Sequence, residues 1–395
     1  MRSAVIVEAV RTPVGRGKPG GSLSEIHPVD LLAVPIRALI ERTGIDPELI
    51  EDVIAGCVSQ GKEQAGNIAR HGALAAGLPE SVPGTTVTRA CGSSQQAAQF
   101  AAQGVIAGAY DVVIAAGVES MSRVPMGAAS AGADFIGSGV AERYPEGQVS
   151  QGVAAERLAS KYQITREEMD RYAAESHERA TDAIANGNFD AEIVPVVTPN
   201  GTVTVDETVR SGTTAAGLSG LKPSFENAVD AARFPEIQWS VTAGSSSPLT
   251  DGASAVLIME EELAFKLGLK VRARFVSFAV SGVSPIDMLT GPVPATRKAL
   301  KRAGLDVADI DSFEVNEAFS VVPLGWAAEM GVERERMNAD GGAIALGHAI
   351  GNSGTRLLTT LLHRLERTGG RFGLQTMCEH GGMANALIIE RVETA

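Results

Sequence analysis

The chain has 395 residues, 44% of them hydrophobic and 21% charged, the composition of a globular protein with more than one folding unit. A formal net charge of −13 argues against a nucleic-acid partner, though a phosphate-bearing ligand needs only a local basic patch or a helix N-terminus. Aromatics make up 4% and glycines number 44, so the core must be built from Ala, Val, Ile and Leu with closely packed backbones.

The opening run Met1–Val7 reads as a first strand without a signal-peptide apolar region. No later stretch stays apolar over the roughly 18 residues a membrane helix needs. The three cysteines, Cys57, Cys91 and Cys378, lack zinc-ligand spacing and are too few for a disulfide scaffold. A reduced cytoplasmic compartment and no metal are therefore expected.

An internal repeat follows. Arg37 to Val53 (RALIERTGIDPELIEDV) aligns without gaps with Arg297 to Phe313 (RKALKRAGLDVADIDSF), setting Gly44 on Gly304, Asp46 on Asp306 and Ile50 on Ile310. Each copy predicts an amphipathic helix stopped by glycine, a short turn and an apolar strand. A second pattern recurs in the same order. RACGSSQQAAQFAAQGVIAGA precedes DVVIAAGV, and GHAIGNSGTRLLTTLLHRL precedes RFGLQTMC: each is a Gly/Ser-rich turn, a helix and a strand. Two such matches predict an α/β protein of duplicated halves, with layered, mainly parallel or mixed sheets.

From Val118 to Gly244 the composition changes. A polar helix is predicted from Thr165, with Glu168 completing a capping box, through Met169, Tyr172, Ala173 and Ser176 to near Gly187. This section reads as an excursion from the first unit, which resumes near Asp251; an independent linker domain is the alternative. The expected division is 1–117 with 245–270 as the N-terminal half, 118–244 as an inserted loop domain for substrate, and 271–395 as the C-terminal half.

Four places carry chemistry. From Cys91 to Tyr110 no residue is charged, which predicts a buried helix with Cys91 in its first turn. There the helix dipole should lower the thiol pKa, and free N–H groups could stabilise an oxyanion; a buried inert thiol is the competing reading. Across Gly341 to Gly354 the sole ionisable side chain is His348, among five glycines, which suits a general base. Cys378 and His380 close an apolar strand in MCEHGGMA. Asn316, in VNEAF, stands at another strand end, placed to hold a water or a carbonyl or simply to cap a turn.

The ordered set CGSSQQA, GVESMS, NEAF, GGAIALGH and CEHGGM resembles that of thiolases along essentially the whole chain. The resemblance implies Cys91 as acylated nucleophile and His348 as its activator, sharing an oxyanion pocket with a water on Asn316. It implies Cys378 as the second acid/base, and the backbone N–H groups of Cys91 and His380 as the other oxyanion pocket. It also implies coenzyme A as substrate with no tightly bound cofactor. Ser247 would touch pantetheine, Phe225 would pack near the adenine, and Met288, Ala318 and Phe319 would line the acyl and pantetheine channel; core packing is the alternative for each. A homodimer or homotetramer acting on acyl-CoA, with no nucleic acid and no membrane span, completes the expectation.

The chain departs from that pattern at several positions. His380 stands where glycine is usual, so a positive φ would be strained and an ionisable group added near Cys378. Ala349 replaces proline, Ser150-Gln151 replaces the usual His before Gly152, Pro248 replaces a small residue, and AVDAARFPEIQW (Ala228 to Trp239) is an extra stretch at the substrate mouth. Two rivals share the fold: a decarboxylating ketoacyl synthase, against which Cys378 argues, and a CoA-ester-binding paralogue without catalysis. The short motifs CGSSQQA and CEHGG look most like actinobacterial enzymes of lipid or steroid breakdown.

Overall fold

The computed structural model describes residues 2–393. Its strands are β1 (Ala4–Arg11), β2 (Gly15–Arg16), β3 (Asp52–Gly56), β4 (Gly84–Val87), β5 (Val112–Ser120), β6 (Val196–Thr198), β7 (Gly201–Val203), β8 (Thr250–Glu260), β9 (Ala273–Gly282), β10 (Ser312–Val315), β11 (Phe372–Glu379) and β12 (Met383–Arg391). One sheet runs β10-β11-β12-β9-β1-β8-β5-β3-β4, with β2 on β8, while β6 and β7 form a separate hairpin.

The order repeats itself about the centre. Parallel β3 and β5 pair from Asp52↔Val113 to Gly56↔Gly117, as parallel β10 and β11 pair from Ser312↔Gly373 to Val315↔Thr376. Each pair then meets an antiparallel strand, β8 or β12, followed by β1 or β9. The halves join where β1 touches β9 at Val5↔Arg274 and Ile6↔Ala273. The duplicated α/β plan thus holds in its mixed form: among the named strands, β3–β4, β3–β5 and β10–β11 pair in parallel and the others antiparallel.

Helices repeat with the strands. Pro28–Thr43 ends at Gly44 with φ 65°, and Pro292–Ala303 ends at Gly304 with φ 67°. This left-handed turn costs glycine no Cβ clash, which explains the matching glycines of the repeat. The first helix packs Leu31, Ile36 and Leu39 on one face of its half, the second packs Ala295, Ala299 and Leu300 on Phe313, Leu374 and Ile388.

The other pair of helices, Ser93–Ala107 and Ser353–Thr368, is interior. Ala97, Ala98 and Ala101 of one and Leu358, Leu361 and Leu362 of the other share a single apolar cluster with strand residues Ile6, Val113 and Val256. Their N-terminal ends nearly touch: a Cβ on Gly354 would lie 2.0 Å from the Gln95 nitrogen, and Thr355 N donates to Ser94 Oγ at 3.0 Å. Small residues at these turns are therefore what lets two catalytic candidates, Cys91 and His348, come from adjoining helix starts.

Between β5 and β8 the chain leaves the sheet. The helix Arg166–Ala185 begins at Thr165 with the capping box to Glu168. The excursion is tied back by buried Arg11 of β1, which donates from Nε to Glu192 at 2.6 Å and from Nη1 to Asp206 at 2.7 Å. Removing one partner of such a buried pair costs about 3–5 kcal/mol, because the other charge is stranded. No helix of the described residues is long and apolar enough to cross a membrane.

Candidate active site

Cys91 sits on a tight turn ahead of the interior helix, which begins at Ser93 with Gly92 as its N-cap. Ala90 takes φ 45°, a rare value for a side-chain-bearing residue. The turn is held by Gly92 N on Arg89 O at 3.1 Å, Ser93 Oγ on Ala90 O at 2.6 Å, and Arg89 N on Ser93 Oγ at 2.9 Å. From the other half, Asn385 of β12 donates Nδ2 to Gly92 O at 3.0 Å. The Cys91 sulfur is nearly buried, and the backbone N–H groups of Cys91 and His380 are near enough to favour its charged form.

Parallel pairing supplies two more groups. Asn316 follows β10 and its N–H donates to Thr376 O of β11 at 3.1 Å, two residues before Cys378. Asn316 is fully buried, yet neither Oδ1 nor Nδ2 has a partner. Cys378 is also fully buried, and a charge on Cys91 would act on it directly.

His348 completes the set. Its Nδ1 lies 2.7 Å from Ser353 Oγ, whose proton goes to Ala349 O at 3.0 Å. A hydroxyl has one proton, so Ser353 must accept from Nδ1–H, and Nε2 is left as the lone-pair nitrogen. That Nε2 is buried with no partner. Unsatisfied buried atoms are uncommon away from functional sites, and here they belong to both His348 and Asn316.

Electrostatics correct two sequence expectations. Burial, then the charge of Glu379, pushes the Cys91 thiol up to about 12, against the smaller opposing pull of Gln151 and the backbone N–H groups of Cys91 and His380. A helix terminus is worth at most about 2 kcal/mol, and Cys91 precedes the N-cap, so burial wins over the dipole. Burial, aided by the Arg356 charge, likewise pulls His348 down to about 4, below rather than near neutrality. At rest the thiol and the imidazole are both neutral, and the imidazole's base nitrogen is free. Burial also pushes Cys378 up.

The strain foreseen at His380 is absent. The left-handed turns fall on Gly381 and Gly382, at φ 84° and 80°, and His380 itself is exposed.

Residues expected at the CoA channel are adjacent to one another. Ser247 N and Oγ both donate to Ala318 O, at 3.1 and 3.2 Å. Phe225 meets Phe319 edge to face, with centroids 5.7 Å apart. Met288, Ala318, Phe319 and Cys378 share an apolar cluster into which the extra stretch inserts Phe234 and Ile237.

Residues 4–262 match the thiolase N-terminal domain and residues 269–391 the thiolase C-terminal domain. The chain belongs to the thiolase family. It is 47% identical to steroid 3-ketoacyl-CoA thiolase FadA6 of Mycobacterium tuberculosis over 99% of this chain and 95% of that protein. It is 45% identical to the 3-ketoacyl-CoA thiolase of Aliivibrio fischeri, over 99% and 100% of the two chains. The crystal structure of Bacillus anthracis acetyl-CoA acetyltransferase superposes with a TM-score of 0.88 at 38% identity, covering 99% of both. This thiolase is an acyltransferase enzyme, and neither rival reaction class is favoured.

Several supporting residues of the thiolase site escaped the sequence reading. Glu119 accepts from Val58 N (2.9 Å), Gln64 Nε2 (2.7 Å) and Gly351 N (3.0 Å), lashing the two halves together beneath the site. Glu317 accepts from Tyr172 Oη and Ser176 Oγ at 2.7 Å and from Asn338 Nδ2 and Ile344 N at 3.0 Å. Their signal was a lone acid inside an uncharged motif, GVESMS or NEAF, since a buried carboxylate needs several donors. Ser353 gave no such signal.

Proposed function

We propose that this thiolase cleaves 3-ketoacyl-CoA with coenzyme A through an acyl-Cys91 intermediate. The observation that carries the reading is the buried Cys91 sulfur facing N–H groups from both halves of the chain, with Cys378 beside it. His348 Nε2 takes the thiol proton as sulfur bonds to the C3 carbonyl carbon. The resulting oxyanion is stabilised by His348 and a water held between Asn316 and the substrate. The C2–C3 bond then breaks, and Cys378 gives its proton to C2, releasing acetyl-CoA. Coenzyme A, losing its thiol proton to the Cys378 thiolate, attacks the acyl thioester, while His348 keeps the proton it will return to the departing Cys91 sulfur; the N–H groups of Cys91 and His380 stabilise that second oxyanion. Shortened acyl-CoA leaves and Cys91 regains its proton. Run backwards, the same steps form a carbon–carbon bond.

Cys378 must hold a proton at rest to act as the donor, and its burial keeps it protonated. Ser247, Phe225, Met288, Ala318 and Phe319 serve as the wall along pantetheine and the acyl chain. The 118–244 excursion forms the substrate-holding domain between the two α/β halves. Degradation of lipid acyl chains in the cytoplasm, by a homodimer or homotetramer, completes the reading. A bulky acyl group is favoured by the likeness to the steroid thiolase.

The test is turnover of acetoacetyl-CoA with free coenzyme A, monitored by the disappearance of acetoacetyl-CoA and the appearance of acetyl-CoA. Cys91→Ala should abolish it, and mass spectrometry of wild-type enzyme should find the acyl group on the Cys91 peptide. Binding without turnover by the wild-type chain would overturn the reading.

A further inference from the structure

Glu379 follows Cys378 at the end of β11 and is fully buried, yet neither of its carboxyl oxygens has a partner. A Cβ on Gly92 would meet Glu379 Oε1 at 2.1 Å, so the carboxyl lies directly against the residue that follows the nucleophile. Asn385 of β12 borders the same spot: its Nδ2 holds Gly92 O at 3.0 Å while its Oδ1 stays unpaired. Across the turn, Arg89 attracts the carboxyl, and its own Nε is buried without a partner.

A carboxylate stripped of water and of donors is costly, whereas a neutral carboxyl is tolerated. Burial accordingly lifts Glu379 to about 8, opposed by Arg89. The groups its charge reaches are the two sulfurs of the site, Cys91 and Cys378. None of the steps described above uses it.

We propose that Glu379 is a positioning residue for the nucleophile: an uncharged carboxyl packed under Gly92 that permits negative charge on the Cys91 sulfur, and whose ionisation suppresses that charge. The enzyme thereby carries an alkaline limit set beside its own nucleophile. Once Glu379 loses its proton, the transfer from Cys91 to His348 must build a second negative charge against the first. The inference rests on Cys91 being the nucleophile, so its test reads the sulfur apart from turnover.

Cys91 alkylation by iodoacetamide, located by peptide mass, is followed from about pH 6.5 to about pH 9.5 in wild type and Glu379→Gln. The two should agree within about twofold at the lower end. At the upper end Glu379→Gln should react about tenfold faster, the effect of a one-unit difference in thiol pKa. Turnover of acetoacetyl-CoA should decline on the alkaline side in wild type and not in Glu379→Gln. Arg89→Gln, which removes the cation favouring ionised Glu379, should move the wild-type decline to higher pH. Superimposable alkylation profiles overturn the proposal, as does loss of Cys91 reactivity at every pH in folded Glu379→Gln, since the carboxyl would then be activating the sulfur itself. Turnover retained by Cys91→Ala would instead refute the nucleophile assignment, with the alkylation comparison still judging Glu379.

Discussion

Ser353 Oγ stands 2.7 Å from His348 Nδ1 and passes its only proton to Ala349 O at 3.0 Å, which fixes the imidazole with its basic nitrogen toward the site. Ser353→Ala removes the acceptor and leaves Nδ1–H unpaired in a buried place. Either tautomer then becomes available and the ring can turn. We expect kcat to fall about 10- to 100-fold, part of the range that positioned general bases contribute, with little change in KM. Thermal unfolding should show a loss of only about 1 kcal/mol, the worth of one hydrogen bond. An unchanged kcat would show that Ser353 does not orient the base.

Asn316 gives a contrasting expectation, because its side chain makes no hydrogen bond among the described residues. Replacing it by Ala therefore removes no protein partner, and denaturant unfolding should change by less than about 1 kcal/mol. Activity should drop about 100-fold, the lower end of what a single oxyanion donor supplies. A large stability loss with retained turnover would mean that the residue is structural.

What the sequence disclosed follows from how local each feature is. The repeated Gly44 and Gly304 were readable because a helix stop is set by a few neighbouring residues. The placing of β8 between β1 and β5 could be sensed only as a resumption near Asp251, since sheet order is a long-range property. Cys91 and His348 stood out as lone reactive groups in uncharged runs, and Cys378 as a thiol closing an apolar strand. Their protonation did not: the helix-start argument gave the wrong direction for Cys91 because desolvation depends on the surrounding fold. Glu317 and Glu119 were hidden for the same reason, their donors lying dozens of residues away.

Glu317 also explains a glycine. A Cβ on Gly342 would lie 2.1 Å from the Glu317 carboxyl carbon, which is itself held by four donors and cannot retreat. Gly342→Ala should destabilise the fold by about 1–3 kcal/mol, the usual range for overpacking a rigid site. Because residue 342 opens the segment that carries His348, kcat should fall as well. A melting temperature equal to wild type would show that the loop has room to move.

Acid should weaken this enzyme through its buried histidines. His348 and His177 both titrate at about 4 in the folded chain, chiefly through burial, against 6.5 when exposed. Between those values the unfolded chain binds protons that the folded chain refuses. Stability is therefore unaffected above about pH 6.5, falls as the pH drops from there towards about 4, and levels for these groups below it. Urea unfolding across that window should show a declining midpoint, and His177→Gln should make the decline shallower. Equal slopes would place the acid sensitivity elsewhere.

Phe234 offers a handle on substrate size. Its ring lies beneath the Arg157 guanidinium at 4.3 Å and beside that of Arg233 at 4.8 Å, and its apolar edge joins the cluster of Met288, Ala318 and Cys378. Arg157 is itself fastened to Glu236 at 2.9 Å and Asp287 at 2.8 Å, so the inserted wall is braced rather than loose. Phe234→Leu keeps an apolar contact but shortens the wall, at a stability cost of about 1 kcal/mol. If this wall bounds the acyl group, bulky 3-ketoacyl-CoA esters should gain relative to acetoacetyl-CoA by about 10-fold or more in kcat/KM, the lower end of the discrimination carried by one methylene-sized change. Equal ratios in mutant and wild type would place acyl selection elsewhere, on the side of the channel away from the insertion.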